Sequence, residues 1–441
     1  MLKKSLCFLM IFSMLFAFCG CKDEANFSGG STEDVGAYDP SALFKNPTNE
    51  DSNTEGSNLN SDSSNISSNQ TATSQSGSSK GDDSVKTIDY KFRYLANTYS
   101  KLTKDKKLTV GFLGGSVTSG TGASNPDKDS WARIICDNLR GDFDATVIEK
   151  RKSVGGTGSF FAAFRYENDF GSSRADQPDL LFIEFAINDF YEEYTYDQVV
   201  KYSESLVRKA LSLNPQMDIV YVLTFDNDTK TKDYDQLRAH KDVAKKYGFL
   251  CINLREKLGP VADFKNDYSD GVHPNTNGYK VYAKEIYKQI SGCMPSLSEG
   301  IAKPAVKNTS VPATAMSDYY KKMKFVTSDK MSFTGNGWKY ENANFSWVQK
   351  RYGGVVRANT KGAEMTLKFT GSTFAILYNR ENGHGNISVQ IDGGEIQNFD
   401  ASTGSQNPKT HEFKVSGYGE HTVKITLNSD KEFQIGAIMY N

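Results

Sequence analysis

The sequence predicts an α/β domain built on a doubly wound parallel sheet, followed by an all-β sandwich. Between about residues 89 and 293, short apolar runs alternate with segments of helical periodicity, which is typical of repeated β-α units. After about residue 323 the apolar pattern changes to period two, with frequent turn residues, as in antiparallel strands. A length of 441 residues also exceeds what one hydrophobic core usually organises.

The amino terminus has the pattern of an export signal. Two lysines precede an apolar run over residues 6–18, which is too short to span a bilayer comfortably. The run leads into Gly20-Cys21, and a small residue directly before a cysteine resembles the lipobox of bacterial lipoproteins. We therefore expect residues 1–21 to be a lipoprotein signal peptide, with Cys21 lipidated and the chain anchored at the bacterial cell surface. A secreted and released protein, or an uncleaved anchor, stays open as the alternative.

Residues 22–86 are expected to form a disordered tether. Ser, Asn, Gly, Thr and Asp dominate this segment, and it has too few large apolar side chains to offset the entropy of the chain. The whole chain carries 52 Lys and Arg against 53 Asp and Glu, for a formal net charge of -1. This balance gives no electrostatic reason to expect nucleic acid or an anionic membrane surface as a partner.

The α/β domain is placed at residues 87–295. Its predicted strands are short apolar runs, at residues 108–113, 145–149, 180–185, 219–224 and 249–254. Its predicted helices carry apolar side chains at helical spacing, at residues 130–139, 159–166, 196–213, 235–247 and 275–290. The last helix begins with polar residues suited to capping. The order is thus β-α repeated about five times.

A linker is expected at residues 296–322 and the sandwich at residues 323–441. The sandwich segment carries three aromatic residues close together in sequence, Trp338, Tyr340 and Trp347. Aromatic faces exposed on a sandwich are a usual way to hold sugar rings, so these residues are candidate sugar contacts. Most such residues pack in the core instead, and that alternative stays open.

Three cysteines remain beyond the signal segment, namely Cys136, Cys251 and Cys293. An odd and sparse set of this kind does not indicate a disulfide framework. No CxxC pair or Cys/His cluster has the spacing of zinc ligands, so we expect these residues to be small apolar side chains in the core. No metal site is expected.

The first candidate catalytic motif is Gly114-Gly115-Ser116, directly after the apolar run at residues 108–113. In an open parallel sheet, ligands bind at the carboxyl ends of the strands, so Ser116 lies where a nucleophile would. A glycine before it allows a tight turn and close approach of a substrate. Taken alone, a structural turn, or a phosphate-binding loop without its lysine, explains the motif better.

The second motif pairs Asp270 with His273, just before the last helix. A carboxylate three residues before an imidazole, with Gly271 between them, can bond to the ring Nδ1 and leave Nε2 facing outward. That is the pair a serine nucleophile requires, although a polar loop that caps the helix explains the motif equally well. The other histidine of the domain, His240, falls in a polar helix, which indicates a solvated helix face.

Two further motifs offer donors to an oxyanion. The apolar run at residues 180–185 leads into Asn188-Asp189, and an Asn carboxamide there can donate to developing negative charge. After the second strand, residues 154–158 form a glycine-rich loop whose backbone N–H groups can point to the same place. Taken alone, Asn188-Asp189 is better explained as a helix cap or Asx-turn, and residues 154–158 are better explained as a flexible loop.

The four motifs follow the order Ser, Gly, Asn, His in the β-to-α connections of one domain. On these residues the chain resembles the SGNH, or GDSL-like, hydrolase superfamily, over about residues 107–290. The resemblance implies a flavodoxin-like three-layer fold with Ser116 as the nucleophile. It implies His273 as the general base and Asp270 as the residue that orients its imidazole.

The resemblance also implies an oxyanion hole formed by the N–H groups of Ser116 and Gly156 with the Asn188 side chain. Gly155 is an equal candidate for the second donor. The chain departs from the family pattern twice: it has Gly115 where the name motif has Asp, and Ala186 where the third block usually has Gly. Neither change removes a catalytic atom, but the missing aspartate alters the support beneath the nucleophile loop.

These features predict a serine esterase that works by acyl transfer, which requires no metal or organic cofactor. The sandwich resembles the galactose-binding-like modules appended to carbohydrate-active enzymes, and the combination resembles polysaccharide acetylesterases. We therefore expect O-acetyl groups of polysaccharides as the substrate. A lipase, lysophospholipase or cell-wall acyl hydrolase is the alternative enzyme, and an inactive glycan-binding lipoprotein is the alternative from another class.

Overall fold

The computed structural model describes residues 94–294, 319–342, 351–402 and 407–441. The predicted signal peptide with Cys21, the tether, most of the predicted linker and Trp347 therefore lie outside the described residues. In the described part of the chain, every helix is too short or too polar to cross a membrane.

The first sheet has five parallel strands in the order β2-β1-β3-β4-β5. The strands are β1 (Lys107–Gly114), β2 (Thr146–Ser153), β3 (Leu180–Glu184), β4 (Asp218–Leu223) and β5 (Leu250–Asn253). All side chains of β3 and β4 are buried, as expected for central strands covered by helices on both faces. The predicted parallel α/β sheet is confirmed.

Ten helices of the described residues accompany this sheet. They are α1 (Ala96–Ser100), α2 (Ser116–Ser119), α3 (Pro126–Asp129), α4 (Trp131–Phe143), α5 (Ser159–Phe170), α6 (Ala186–Tyr191), α7 (Tyr196–Leu213), α8 (Asp235–Tyr247), α9 (Leu254–Leu258) and α10 (Thr276–Ser291). Thr195 begins α7 with a capping box that includes Gln198, and Gly248 ends α8 in the left-handed region at φ 68°, as helix-end chemistry predicts.

The strand order places a topological switch point at β1. The connection from β1 leads to β2 on one side of β1, and the next connection leads from β2 to β3 on its other side. A crevice forms outside the carboxyl ends of the strands at such a point, and ligands bind there in open α/β sheets. The loops after β1, β2 and β3, which carry three of the four predicted motifs, start at this crevice.

The carboxyl-terminal part is a sandwich of two antiparallel sheets, preceded by α11 (Tyr319–Lys322). One sheet has the order β13-β12-β15-β10-β7 and the other β14-β11-β16-β9-β8, with β6 also paired to β16. The strands are β6 (Lys324–Thr327), β7 (Thr334–Asn336), β8 (Lys339–Glu341), β9 (Val355–Ala358), β10 (Glu364–Gly371), β11 (Phe374–Arg380), β12 (Asn386–Ile391), β13 (Ile396–Asp400), β14 (Asn407–Phe413), β15 (Gly419–Leu427) and β16 (Phe433–Tyr440). Burial alternates along β15, so the period-two pattern reflects one core-facing side.

The sandwich packs directly on the α/β domain through α5. Phe161 of α5 contacts the rings of Phe325 and Tyr352, with centroids 5.7 Å and 6.0 Å away. These side chains belong to one apolar cluster that also includes Met439 of β16 and Tyr221 of β4. The helix is therefore covered by apolar side chains on two sides, and the core continues from one domain into the other.

Polar contacts fix the same interface. Arg351 donates hydrogen bonds to the backbone oxygen of Ser153 at 2.8 Å and to Asp169 Oδ1 at 2.9 Å. The Tyr202 hydroxyl donates to Glu412 Oε2 at 3.0 Å. Ser153 ends β2, directly before the glycine-rich loop, so a side chain of the sandwich holds the strand that leads into that loop.

Candidate active site

The sharp turn after β1 depends on two glycines. A Cβ on Gly114 would overlap with the Thr118 hydroxyl, and a Cβ on Gly115 would overlap with Asn188 Oδ1. Gly115 precedes α2, and Ser116 is the first residue of this short helix. The strand thus delivers Ser116 to its carboxyl end, where the predicted nucleophile was expected.

Ser116, His273 and Asp270 form a chain of hydrogen bonds. His273 Nε2 lies 2.8 Å from Ser116 Oγ, and His273 Nδ1 lies 2.8 Å from Asp270 Oδ2. An ionised carboxylate can only accept, so Nδ1 carries the proton and Nε2 is left to accept from the serine hydroxyl. The structure therefore brings together the three residues predicted to act as nucleophile, base and orienting carboxylate.

The carboxylate of Asp270 is held in its ionised form. Burial opposes its charge, but hydrogen bonds from the His273 backbone N–H, the His273 ring and the Val272 N–H outweigh burial and lower the pKa of Asp270. The two backbone N–H groups lie 2.7 Å from Asp270 Oδ1. Oδ1 of Asp270 thus accepts from the loop backbone, and Oδ2 accepts from the imidazole.

The histidine loop is fixed at both ends. The Ser269 N–H donates to the His273 backbone oxygen at 2.9 Å. Asn275 then caps α10, and its side chain accepts from the N–H groups of Asn277 and Gly278 at 2.9 Å and 3.2 Å. The cap and the Asp270–His273 hydrogen bond are therefore parts of one loop. The helix-cap explanation holds, and it is compatible with the catalytic role, which stays a prediction.

The other two motifs lie beside Ser116. The Asn188 side chain lies directly over Gly115. A Cβ on Gly155 would come 3.4 Å from the Ser116 Cβ, and Gly156 has a φ of +69°, which favours glycine. The loops after β1, β2 and β3 thus meet at one rim of the sheet. The roles of these residues in an oxyanion hole stay predictions.

A buried polar network that was not predicted from the sequence lies beside these loops. Asp189 accepts from the Ser159 N–H at 2.7 Å, and its other oxygen lies 2.8 Å from His240 Nε2. His240 Nδ1 lies 3.3 Å from Ser203 Oγ, which pairs with the Tyr221 hydroxyl at 2.6 Å. The network ties α6, which carries Asn188, to the first residue of α5.

The prediction of a solvated His240 was wrong. Its side chain is fully buried, because it shares a helix face with Leu237 and Val243, and its polar chain neighbours point elsewhere. The spacing of three residues to each of these apolar side chains was the signal available in the sequence.

Of the candidate sugar contacts that the structure describes, Trp338 is buried and Tyr340 is exposed. Trp338 packs against Phe433 in the sandwich core and is 7% exposed, so its ring is not available as a platform and the core alternative holds for it. Tyr340 is 41% exposed. Its hydroxyl donates to the Gly353 backbone oxygen at 2.5 Å, and a role in sugar binding stays a prediction for this residue.

Cys136 and Cys251 are free thiols in the structure. Cys136 and Cys293 are buried, and burial raises the pKa of Cys251 to about 12. Burial also raises the pKa of Cys136, so Cys136 and Cys251 are poor nucleophiles at neutral pH. Among the residues that the structure describes, no group of three or more His, Cys, Asp or Glu side chains could hold a metal ion.

Residues 112–281 match the model of the GDSL-like Lipase/Acylhydrolase family. The α/β domain is thus similar to this family over the residues that carry the predicted motifs. The match begins within β1 and ends within α10, so it includes all four motifs, and the prediction of a GDSL-type hydrolase that acts on ester bonds is confirmed. Residues 348–439, in the sandwich, match the model Carbohydrate esterase 2 N-terminal. In this GDSL-like hydrolase the matching domain follows the catalytic domain.

Two crystal structures share both domains with this GDSL-like hydrolase. They are of a two-domain esterase (CEX) active on acetylated mannans, in one case co-crystallized with mannopentaose. They cover 80% of this chain and 97% and 98% of their own, at 19% identity and with TM-scores of 0.67 and 0.68. At this identity the likeness shows a common two-domain fold. No curated protein sequence matches the chain.

Substitution of Gly115 tests the contact with Asn188. A methyl group at position 115 would displace the Asn188 carboxamide, so we expect Gly115→Ala to lower kcat by about 10²- to 10³-fold, as for the loss of one oxyanion donor. The measurement is steady-state hydrolysis of an aryl acetate. Gly141→Ala is the matched control, because a Cβ there meets no atom within 4 Å. A Gly115→Ala enzyme with the kcat of the wild type would contradict the prediction.

Proposed function

We propose that this chain is a cell-surface carbohydrate esterase that removes O-acetyl groups from polysaccharides through a Ser116-His273-Asp270 triad. The observation that carries the proposal is the continuous hydrogen-bonded chain from Ser116 Oγ through the imidazole to Asp270. The acetylated-mannan activity of the two-domain esterase and the match of the sandwich to a carbohydrate esterase model support the substrate class. The lipobox-like sequence ending at Cys21 supports the location.

The proposed reaction has two steps. Ser116 Oγ attacks the acetyl carbonyl carbon while its proton moves to His273 Nε2, and the sugar hydroxyl then leaves with that proton. Water attacks the acetyl-enzyme, gives a proton to His273, and releases acetate and the free serine. The oxyanion formed in each step would receive hydrogen bonds from the Ser116 N–H, the Gly156 or Gly155 N–H and the Asn188 side chain.

Covalent labelling tests the nucleophile. An organophosphonate is expected to modify the wild type at Ser116, and peptide mapping by mass spectrometry locates the adduct. Ser116→Ala should give no adduct. Ser119→Ala is the matched control, since this serine lies in the same short helix but its hydroxyl bonds to Ser153 Oγ at 2.9 Å. Labelling that persists in Ser116→Ala would exclude Ser116 as the nucleophile.

A substrate panel tests the acyl group and the polymer. We expect release of acetate from acetylated mannan or acetylated xylan, and turnover of short-chain aryl esters. Hydrolysis of long-chain acyl lipids without acetate release would favour the lipase alternative. Neither activity, in a protein that also fails to react with the phosphonate, would favour an inactive glycan-binding lipoprotein.

A further inference from the structure

Glu184 is a buried carboxylate directly beneath α2. This short helix begins with Ser116 and is called the nucleophile helix below. Glu184 ends β3 and is 1% exposed. Its Oε2 accepts from the Thr118 hydroxyl at 2.8 Å, and its Oε1 accepts from the Thr224 hydroxyl at 2.7 Å. The backbone N–H groups of Gly115 and Thr118 also favour its charged form. Two strands and the nucleophile helix therefore meet at one side chain.

Glu184 compensates for a missing helix cap. The first N–H groups of a helix have no partner within it, and in a capping box the side chains of the N-cap and N3 residues satisfy two of them. The N-cap of α2 is Gly115, which has no side chain to offer, and N3 is Thr118. The Thr118 hydroxyl instead donates to Glu184 Oε2 at 2.8 Å, and the N–H groups of both positions favour the charged form of Glu184. One carboxylate from a neighbouring strand thus stabilises the start of the helix.

The same contact explains the glycine at the position where the GDSL motif has an aspartate. A Cβ on Gly115 would overlap with Asn188 Oδ1, so an aspartate at 115 and the observed position of Asn188 exclude each other. With glycine at position 115, a carboxylate can approach the start of α2 only from another element. Glu184 on β3 lies opposite Gly114 in the sheet, and this pairing places its side chain next to α2.

We propose that Glu184 is a positioning residue that holds Ser116 in line with His273, in place of the aspartate of the family motif. The proposal rests on the proposed function, because it takes Ser116 as the nucleophile. Glu184 acts through the backbone of the nucleophile helix and does not contact the reacting atoms.

The free-energy cost of burying this carboxylate supports a role beyond packing. Burial raises the pKa of Glu184 to about 7, although the hydrogen bonds from Thr224, Thr118 and the backbone N–H groups act to lower it. A buried carboxylate is costly unless its partners compensate for lost hydration. An apolar side chain would fill the same space without that cost, but it would leave the buried hydroxyls of Thr118 and Thr224 without this acceptor.

The test compares Glu184→Gln with the wild type, using aryl acetate turnover per phosphonate-reactive site. Glutamine keeps the shape but has one acceptor oxygen and a donor group where the carboxylate had two acceptors. We expect kcat per site to fall by about 10- to 100-fold, as for a small displacement of a catalytic group, with KM within about twofold of the wild-type value. Counting active sites separates this effect from partial unfolding.

Asp218→Asn is the matched control. Asp218 is also a fully buried carboxylate and accepts from the Thr98 N–H at 2.6 Å, but it lies at the amino end of β4, away from the nucleophile. This variant should lose thermal stability and keep the wild-type kcat per site. If Glu184→Gln does not fold, Thr118→Val removes one hydrogen bond of the network, and its kcat per site should fall by about threefold or more.

A Glu184→Gln enzyme with wild-type kcat per site would overturn the proposal, as would a Thr118→Val enzyme of unchanged kcat where the first variant fails to fold. An equal loss of kcat per site in Asp218→Asn would overturn it as well, because any buried carboxylate would then have the same effect. Failure of the proposed function is recognised separately, since the wild type itself would then not react with the phosphonate.

Discussion

Replacing His273 with alanine is expected to slow hydrolysis of an aryl acetate by about 10⁴- to 10⁶-fold, the range for loss of the base of a serine triad. The physical reason is that no other described side chain takes the proton from Ser116 Oγ, whose partner is His273 Nε2 at 2.8 Å. The measurement is kcat in steady state, together with the rate of phosphonate labelling, which should fall in parallel.

The fold should survive this substitution, because His273 lies at the rim of the sheet and its side chain is partly exposed. Asp270→Asn provides the companion variant. It keeps the shape of the side chain but no longer stabilises the imidazole in the tautomer that accepts from Ser116, and we expect a loss of about 10⁴-fold. Wild-type labelling of folded His273→Ala would refute the role given to the imidazole.

Removal of the sandwich is expected to prevent the α/β domain from folding as a soluble monomer. A chain that ends after residue 295 would expose the side of α5 that carries Phe161, which packs against Phe325 and Tyr352 in the intact protein. Each large apolar side chain returned to water costs about 1.5–3 kcal/mol. A few such side chains amount to much of the stability of a typical domain.

The measurement is thermal unfolding and size-exclusion chromatography of the truncated chain. We expect aggregation, or an unfolding transition without cooperativity. The control is the chain without residues 1–86, which keeps both domains and should unfold cooperatively. A soluble truncated domain with wild-type turnover of an aryl acetate would show that the sandwich is dispensable for the fold of its neighbour.

The central elements of the fold were predictable because their burial produces clear patterns. Helices α7 and α8 have the predicted bounds, since each has one apolar face and clear end signals. Strand β2 continues to Ser153, four residues beyond its predicted end. It lies at the edge of the sheet, and its last residues, including Lys150 and Lys152, are partly exposed, so neither an apolar run nor a strict alternation marks them.

The convergence of the catalytic motifs was predictable for a related reason. Each motif follows a strand of one parallel sheet, and the carboxyl ends of such strands lie at the same edge. Glu184 was not recognised, because a buried polar side chain within an apolar run has no periodic signal of its own. The spacing of His240 indicated a buried helix face, but it did not indicate the bond to Asp189. The partners of Glu184 and His240 come from distant parts of the chain, and only the folded structure brings them together.

The bond from Arg351 to Ser153 limits how freely the second domain can be exchanged. An enzyme assembled with a different sandwich would lose the guanidinium that holds the last residue of β2, and the loop carrying Gly155 and Gly156 begins at the next residue. Chimeric proteins made from this scaffold would therefore need a residue that replaces this contact, or the end of β2 would lose a partner. The choice of the second domain thus affects the strand that leads into the glycine-rich loop.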